Sequence, residues 1–250
     1  MIKNIDKNFF LKNGWCIIKN FFSKKEIEIV NKEIVKFFKK NIKNYSGRDI
    51  NFVGSEKKFH KLNSFHKLED CVYFKKLSQK KKILTIPKFL LSSNKLSLRA
   101  CELFTKPSKI GLAAPIHQDN YYWCIKNHKA LTMWISLNKV NKKNGGVFYF
   151  NGSHNYGILQ HIPSFAKGSS QKIKNVKYLR KKFTTITPNL NPGDCLVHHC
   201  LTVHGSNRNK SNFSRKGFTF QFKDFNSKID IKQKKIYEKS LYKQLKEKRN

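Results

Sequence analysis

Around Asn94 the chain changes character, and this change restricts the fold more than any other feature of the sequence. Before it, apolar residues recur at helical spacing; after it, they fall into short runs separated by turn residues. Ser23-Lys24-Lys25-Glu26 is a capping box, in which the serine hydroxyl accepts from a first-turn N–H and the glutamate reaches back to the cap. Ile27, Val30, Ile34, Phe37 and Phe38 follow at helical spacing, which predicts an amphipathic helix over 23–42. A second helical region is expected over 69–91, with Pro87 as a break or a new start. Gly14-Trp15-Cys16-Ile17-Ile18 reads as a short buried strand, and the polar, aperiodic stretch 45–67 as a loop or lid. Later strands are expected at 96–104, 131–137, 147–150, 183–187, 195–199 and 217–222, with Asn144-Gly145-Gly146 and Asn191-Pro192-Gly193-Asp194 as turns. Helices followed by many short strands predict an all-β core with flanking helices, a cupin-like jelly roll or double-stranded β-helix.

The 250 residues suffice for one domain with a substantial core. We expect it over 1–226, with a helical part to about 93 and the jelly roll from about 94 to 226. Residues 227–250 then form a basic C-terminal tail or surface helix, with Ile236, Leu241 and Leu245 as a thin apolar stripe and no chemistry assigned to it. The net charge of +37 invites a nucleic-acid partner, because basic surfaces attract phosphate backbones. Yet only six of the 52 basic residues are arginine, the side chain that phosphate and base forks favour, and the lysines are spread along the whole chain. A solvated lysine-rich surface is therefore the expectation, and nucleic acid is not an expected partner. No apolar run reaches the length of a membrane-spanning helix. Met1-Ile2-Lys3-Asn4-Ile5-Asp6 lacks the apolar core of a signal peptide. The scattered cysteines (Cys16, Cys71, Cys101, Cys124, Cys195 and Cys200) show no paired spacing and read as reduced thiols of a cytoplasmic protein.

Pro115-Ile116-His117-Gln118-Asp119 places an imidazole and a carboxylate two residues apart, on the same side of an extended strand. With a third ligand from a distant strand they would occupy one face of an octahedron, the ligand set of non-haem iron, and leave the opposite face open. His204, in Val203-His204-Gly205-Ser206, is the natural third ligand. Arg215 follows eleven residues later and offers the two parallel hydrogen bonds that a distal carboxylate of 2-oxoglutarate needs. Ser206 lies two residues beyond His204 and is expected on the same side, able to donate to that carboxylate or to serve as an ordinary turn serine. A zinc alternative would use His198, Cys200 and His204, although structural zinc favours tighter paired spacing. His60, His66, His128 and His198 have no partner pattern and read as core histidines.

The order of these motifs resembles the phytanoyl-CoA dioxygenase family of Fe(II)/2-oxoglutarate oxygenases. The resemblance runs through Phe104-Thr105-Lys106-Pro107, 115–123, 131–137, Asn144-Gly145-Gly146 to Gly152-Ser153-His154, Asn191-Pro192-Gly193-Asp194 and 204–215, covering about residues 8–223. It implies His117, Asp119 and His204 as iron ligands, Arg215 and Ser206 at 2-oxoglutarate, and Trp134 beside that cosubstrate. His154 belongs to a structural turn of the family and stays outside the ligand set, whereas His161 either faces the substrate or plays a buried or surface role. The implied reaction uses Fe(II), 2-oxoglutarate and O2 and hydroxylates an aliphatic C–H of a small molecule, releasing succinate and CO2. Asp119 stands where related halogenases carry a small residue, which argues for hydroxylation over halogenation. Desaturation or epoxidation, a nucleic-acid- or protein-modifying oxygenase, and a non-catalytic jelly-roll metal protein stay open as alternatives, and neither the substrate nor the oligomeric state is specified.

Overall fold

The computed structural model describes residues 5–47, 49–166 and 169–247. The first four residues of the N-terminal segment, Arg48 of the expected lid and the last three of the basic tail fall outside these spans. Asp6 accepts from the Phe9 N–H at 2.7 Å and starts helix α1 (Lys7–Asn13), which Gly14 closes at φ 81°. Strand β1 (Trp15–Ile18) leads to α2 (Lys24–Asn41), whose capping box is formed as expected, with Ile27, Val30, Ile34 and Phe38 buried. The second helical region is two helices, α3 (Val72–Ser78) and α4 (Lys81–Leu91). Pro87 lies inside α4, and the break falls at Gln79–Lys80, where Lys80 is extended. The correction has a packing reason: Pro87 is buried beside Ile83, Ile86 and Leu90, which offsets the roughly 3 kcal/mol that an interior proline costs.

The stretch expected as a loop or lid carries strands β2 (Ile50–Phe52) and β3 (Leu62–Phe65), which extend the edge of the main sheet. Runs of three and four residues are too short to register as a period, yet Ile-Asn-Phe alternates once it pairs with β3. Next come β4 (Leu96–Lys106), β5 (Ala114–His117), α5 (Asp119–Trp123), β6 (Ala130–Ser136) and β7 (Val147–Phe150). An unanticipated hairpin of β8 (His161–Ala166) and β9 (Ser169–Ile173) follows, then α6 (Val176–Lys182) and β10 (Thr185–Ile186). The chain continues through β11 (Cys195–His199), β12 (His204–Ser206), β13 (Arg215–Asp224) and α7 (Ile231–Glu247).

The strands form an antiparallel sheet of order β1-β11-β6-β13-β4-β3-β2, faced by a smaller sheet β10-β7-β12-β5. This is the expected jelly roll with helices on one side. Alternation in the central strands separates two interiors. Phe218, Phe220 and Phe222 of β13, Met133 and Ile135 of β6, and Cys101 and Leu103 of β4 bury against α2, α3 and α4. Each such phenylalanine contributes roughly 1.5–3 kcal/mol by burial. The intervening residues Glu102, Thr132, Trp134, His198, Thr219 and Gln221 line a cavity. The main apolar core thus lies between sheet and helices, which leaves the inner face of the roll free to be polar.

Gly217 shows how close the packing is there: a Cβ at this position would lie 2.0 Å from the Trp134 ring. Gly217→Ala is expected to displace Trp134 and to lower stability by roughly 1–3 kcal/mol, as overpacking does. Thermal unfolding together with tryptophan emission checks this; an unchanged Tm and spectrum would show that the indole has room to move.

Candidate active site

His117 is the last residue of β5, and Asp119 is the first residue of α5. Gln118 between them is extended (φ −118°, ψ 133°), so the two side chains keep the same-side relation expected of one strand although only His117 is in it. β12 pairs with β5 so that His204 lies directly opposite His117. Asp119 Oδ1 is 3.6 Å from His117 Nε2 and 3.7 Å from His204 Nε2. One ligand atom from each of the three residues falls within 4.8 Å of the others, and among the described residues this is the one such cluster.

The outer atoms of these side chains are all held. His117 Nδ1 donates to the Pro115 carbonyl at 2.7 Å and His204 Nδ1 to the Thr202 carbonyl at 2.9 Å, which leaves both Nε2 lone pairs facing Asp119. Asp119 Oδ2 accepts from Thr132 Oγ1 at 2.7 Å and lies 3.1 Å from His198 Nε2; His198 Nδ1 in turn meets the Tyr149 hydroxyl at 2.9 Å. Burial, with His117 and His198 adjacent, pushes the His204 pKa well below its ordinary value, so the ring is neutral. Burial alone would raise Asp119, but the three imidazoles outweigh it and hold the carboxyl well below its usual range. A carboxylate and two imidazoles that turn their Nε2 atoms to one point are the donor types that a divalent metal takes. The donor set therefore fits Fe(II).

The cluster opens into a cavity of about 510 Å³, a size suited to small ligands. At one end Arg215 is buried, and its Nε and Nη2 donate to the Gly145 carbonyl at 3.2 and 3.0 Å. Its Cζ stands 5.0 Å from the Trp134 ring centroid. Burial lowers its pKa to about 10, so it stays charged at neutral pH. Gly145 has φ 82°, and a Cβ there would come within 2.7 Å of the Asn207 carbonyl, so the turn at Asn144-Gly145-Gly146 that holds the guanidinium depends on glycine. Ser206 and Trp134 line the same cavity. So does Lys106, which the sequence reading did not single out: its Nζ donates to the Asn207 carbonyl at 2.8 Å and to the Leu112 carbonyl, and burial beside Arg215 lowers its pKa to about 6.

Two histidines read as core residues belong here instead. His198 supports Asp119, and His66 lines the cavity with its Nδ1 2.7 Å from Glu102 Oε1. Their partners, Asp119 and Glu102, lie 79 and 36 residues away in sequence, beyond any local pattern. His60 is exposed, so it is no core histidine either, while His128 is partly buried in a turn at φ 54°. The zinc set fails because Cys200 Sγ turns to the His128 carbonyl at 3.2 Å. His154 stays out of the cluster and meets the Leu11 carbonyl at 3.0 Å. The C-terminal segment, to which no chemistry was assigned, sends Tyr237 of α7 into the cavity wall, where it meets Tyr122 edge-on.

His161 is buried, stacked on Tyr121 with centroids 4.0 Å apart, and its Nε2 accepts the Gln118 N–H at 3.2 Å. It holds the peptide between His117 and Asp119. Burial lowers its pKa from 6.5 to about 3. As pH falls below 6.5, the unfolded chain therefore takes up a proton that the folded chain refuses, and stability declines down to about pH 3. The decline between pH 7 and pH 5 should be shallower in His161→Gln, whose amide oxygen still accepts from Gln118; equal slopes would show that other groups carry the acid sensitivity.

A jelly roll with a His–Asp–His cluster and a buried arginine in one cavity is the frame of an Fe(II)/2-oxoglutarate oxygenase. The chain belongs to the phytanoyl-CoA dioxygenase (PhyH) family, whose model matches residues 10–217. Among its relatives, a peroxisomal phytanoyl-CoA dioxygenase of Bos taurus is 25% identical over 88% of this chain and 68% of its own length. A phytanoyl-CoA dioxygenase domain-containing protein 1 of Danio rerio is 27% identical over 74% of this chain and 63% of its own. The fold matches EctD from S. alaskensis, solved with 2-oxoglutarate and 5-hydroxyectoine, with a TM-score of 0.72 at 18% identity over 89% of this chain and 76% of that one. SnoK, a non-heme alpha ketoglutarate dependent carbocyclase from nogalamycin biosynthesis, matches with a TM-score of 0.72 at 18% identity over 91% and 87%. No helix among the described residues is long and apolar enough to cross a membrane.

Proposed function

We propose that the protein is an Fe(II)/2-oxoglutarate-dependent dioxygenase that hydroxylates an aliphatic C–H of a small molecule. His117, Asp119 and His204 hold the iron, and Arg215, assisted by Ser206 and Trp134, holds 2-oxoglutarate. The observation that carries this reading is Arg215: a buried guanidinium whose hydrogen bonds, among the described residues, go to the Gly145 carbonyl alone, in the same cavity as the His–Asp–His cluster. A charge left this way is expensive to bury unless an anion completes it. Arg215 would hold one carboxylate of 2-oxoglutarate, and the metal held by the cluster would take its 2-oxo acid end.

With both groups bound, O2 would be the oxidant: 2-oxoglutarate would give up two of the four electrons it takes and leave as succinate and CO2, and the substrate C–H would give the other two and become C–OH. The protein's own part is positional. Thr132 and His198 fix the Asp119 carboxylate, His161 fixes the peptide before it, and the Pro115 and Thr202 carbonyls fix the two imidazoles. The same reading takes 1–226 as the oxygenase domain and 227–250 as an appended basic segment that also supplies Tyr237 to the cavity. It places the protein in the cytoplasm, supported by six cysteines that are all buried and unpaired.

An anaerobic titration of the apoprotein with Fe(II) and then 2-oxoglutarate tests the proposal. The visible charge-transfer band of the chelate is expected to appear at stoichiometric cosubstrate. Iron binding without that band would leave a metal-binding jelly roll and remove the oxygenase.

A further inference from the structure

The substrate end of the cavity carries a charge that the iron and 2-oxoglutarate sites do not use. β4 and β13 slip register between Gln221 and Phe222: Gln221 pairs with Ala100 and Phe222 with Leu98, which leaves Arg99 without a cross-strand partner. By strict alternation Arg99 would share the face of Cys101 and Leu103, which packs against the helices. A bulge of this kind re-aims a side chain. Here it turns the guanidinium into the cavity, where it is accessible to solvent.

Its surroundings hold it in place without neutralising it. The Cζ lies 4.7 Å from the Trp123 ring centroid, and one Nη donates to Gln221 Oε1 at 2.5 Å. Among the described residues it makes no other hydrogen bond and no ion pair. Glu102 is the acid that acts on it most strongly, but its two oxygens are taken by His66 Nδ1 and Gln221 Nε2. Glu102, Asp119 and Glu69 therefore attract the guanidinium only at longer range. Gln221 is thus oriented from one side by Glu102 and from the other by Arg99, which fixes the direction in which the remaining guanidinium N–H groups point. Tyr122, Trp123 and Tyr237 surround this end with aromatic surface.

We propose that the substrate is a monocarboxylate with an apolar or aromatic body, its carboxylate paired with Arg99 and its body against Tyr122, Trp123 and Tyr237. The inference rests on the oxygenase reading above and adds the substrate class. A paired guanidinium and carboxylate form two parallel charge-assisted hydrogen bonds, and the stacked, pre-oriented Arg99 loses little freedom in making them. One cation already offset by three acids at longer range suits a single negative charge better than the double charge of a phosphate ester. A cationic substrate has no free acid to meet.

The test is calorimetric binding to the Fe(II) protein with saturating 2-oxoglutarate, so that Arg215 is occupied. The probes are a series of alkyl and aryl acids headed by 3-phenylpropionate, the corresponding amides, and phenyl phosphate. At least tenfold tighter binding of an acid than of its own amide is expected, with the preference lost in Arg99→Gln and partly kept in Arg99→Lys. No acid-over-amide preference anywhere in the series, absence of binding included, overturns the proposal without need of a variant. Tighter capture of phenyl phosphate than of the acids overturns the monocarboxylate assignment, and a preference surviving in Arg99→Gln overturns the role of Arg99. Succinate release by the wild-type protein without added probe is measured alongside. Its absence counts against the oxygenase reading, whereas release without an acid preference counts against the substrate class alone.

Discussion

Asp119→Ala is expected to abolish coupled hydroxylation and succinate release, with a loss well beyond the roughly 10–100-fold typical of changes to a residue that merely supports a ligand. The geometry explains the size of the effect. Asp119 Oδ1 is the point to which His117 and His204 both direct their Nε2 atoms, at 3.6 and 3.7 Å. Removing the carboxylate also leaves Thr132 and His198 without their shared acceptor and brings three imidazoles together with no anion among them. Metal affinity should therefore fall together with turnover, by equilibrium titration with Fe(II) under anaerobic conditions. Wild-type turnover in the variant would sink the assignment of this cluster as the iron site.

Arg215→Ala is expected to do something different: iron still binds, but the concentration of 2-oxoglutarate required rises sharply. Truncating one partner of a buried, hydrogen-bonded charge pair costs roughly 2–4 kcal/mol, about thirty- to several-hundredfold in affinity. Lysine should rescue poorly, because an ammonium cannot reproduce the two-pronged contact that the guanidinium offers. The variant also frees the Gly145 carbonyl, so unfolding should be followed in parallel to separate a stability loss from a binding loss. An unchanged 2-oxoglutarate requirement would move the clamp to another hydrogen-bond donor of the cavity, with Lys106 a candidate.

Much of this site was legible before any coordinates, for a definite reason. His117 and Asp119 are two residues apart, and an extended Gln118 turns that spacing into a shared direction whatever the rest of the fold does. The turn at Asn144-Gly145-Gly146 was legible as a turn, but that its carbonyl faces Arg215 is a relation across 70 residues and has no local signature. His198 illustrates the limit. On β11 its alternation places it on the inner face, yet nothing near it in sequence announces that Asp119, 79 residues away, is its partner. His66 and Glu102 repeat the case across 36 residues.

The fold divides along the same line. Local chemistry was enough for the capping box and apolar stripe of α2, for the paired turn-bounded strands from 96 to 222, and so for a jelly roll behind helices. Asp6 and Gly14 around α1 were equally local signals, an N-cap and a left-handed C-cap, although the helix between them is short enough to escape a periodic search. Elements whose stability comes from pairing and not from their own pattern were not legible: β2 and β3 at the sheet edge, the β8–β9 hairpin, and the placement of α7 against α5. Pro87 within α4 belongs with these, since its burial against the sheet outweighs its local preference. Residue types and short spacings carry the proposed metal ligands because bond directions repeat along a strand. Which side chains support those ligands, and which charge is left to meet a substrate, depends on contacts between distant strands, including the one-residue slip that turns Arg99 from the apolar core into the cavity.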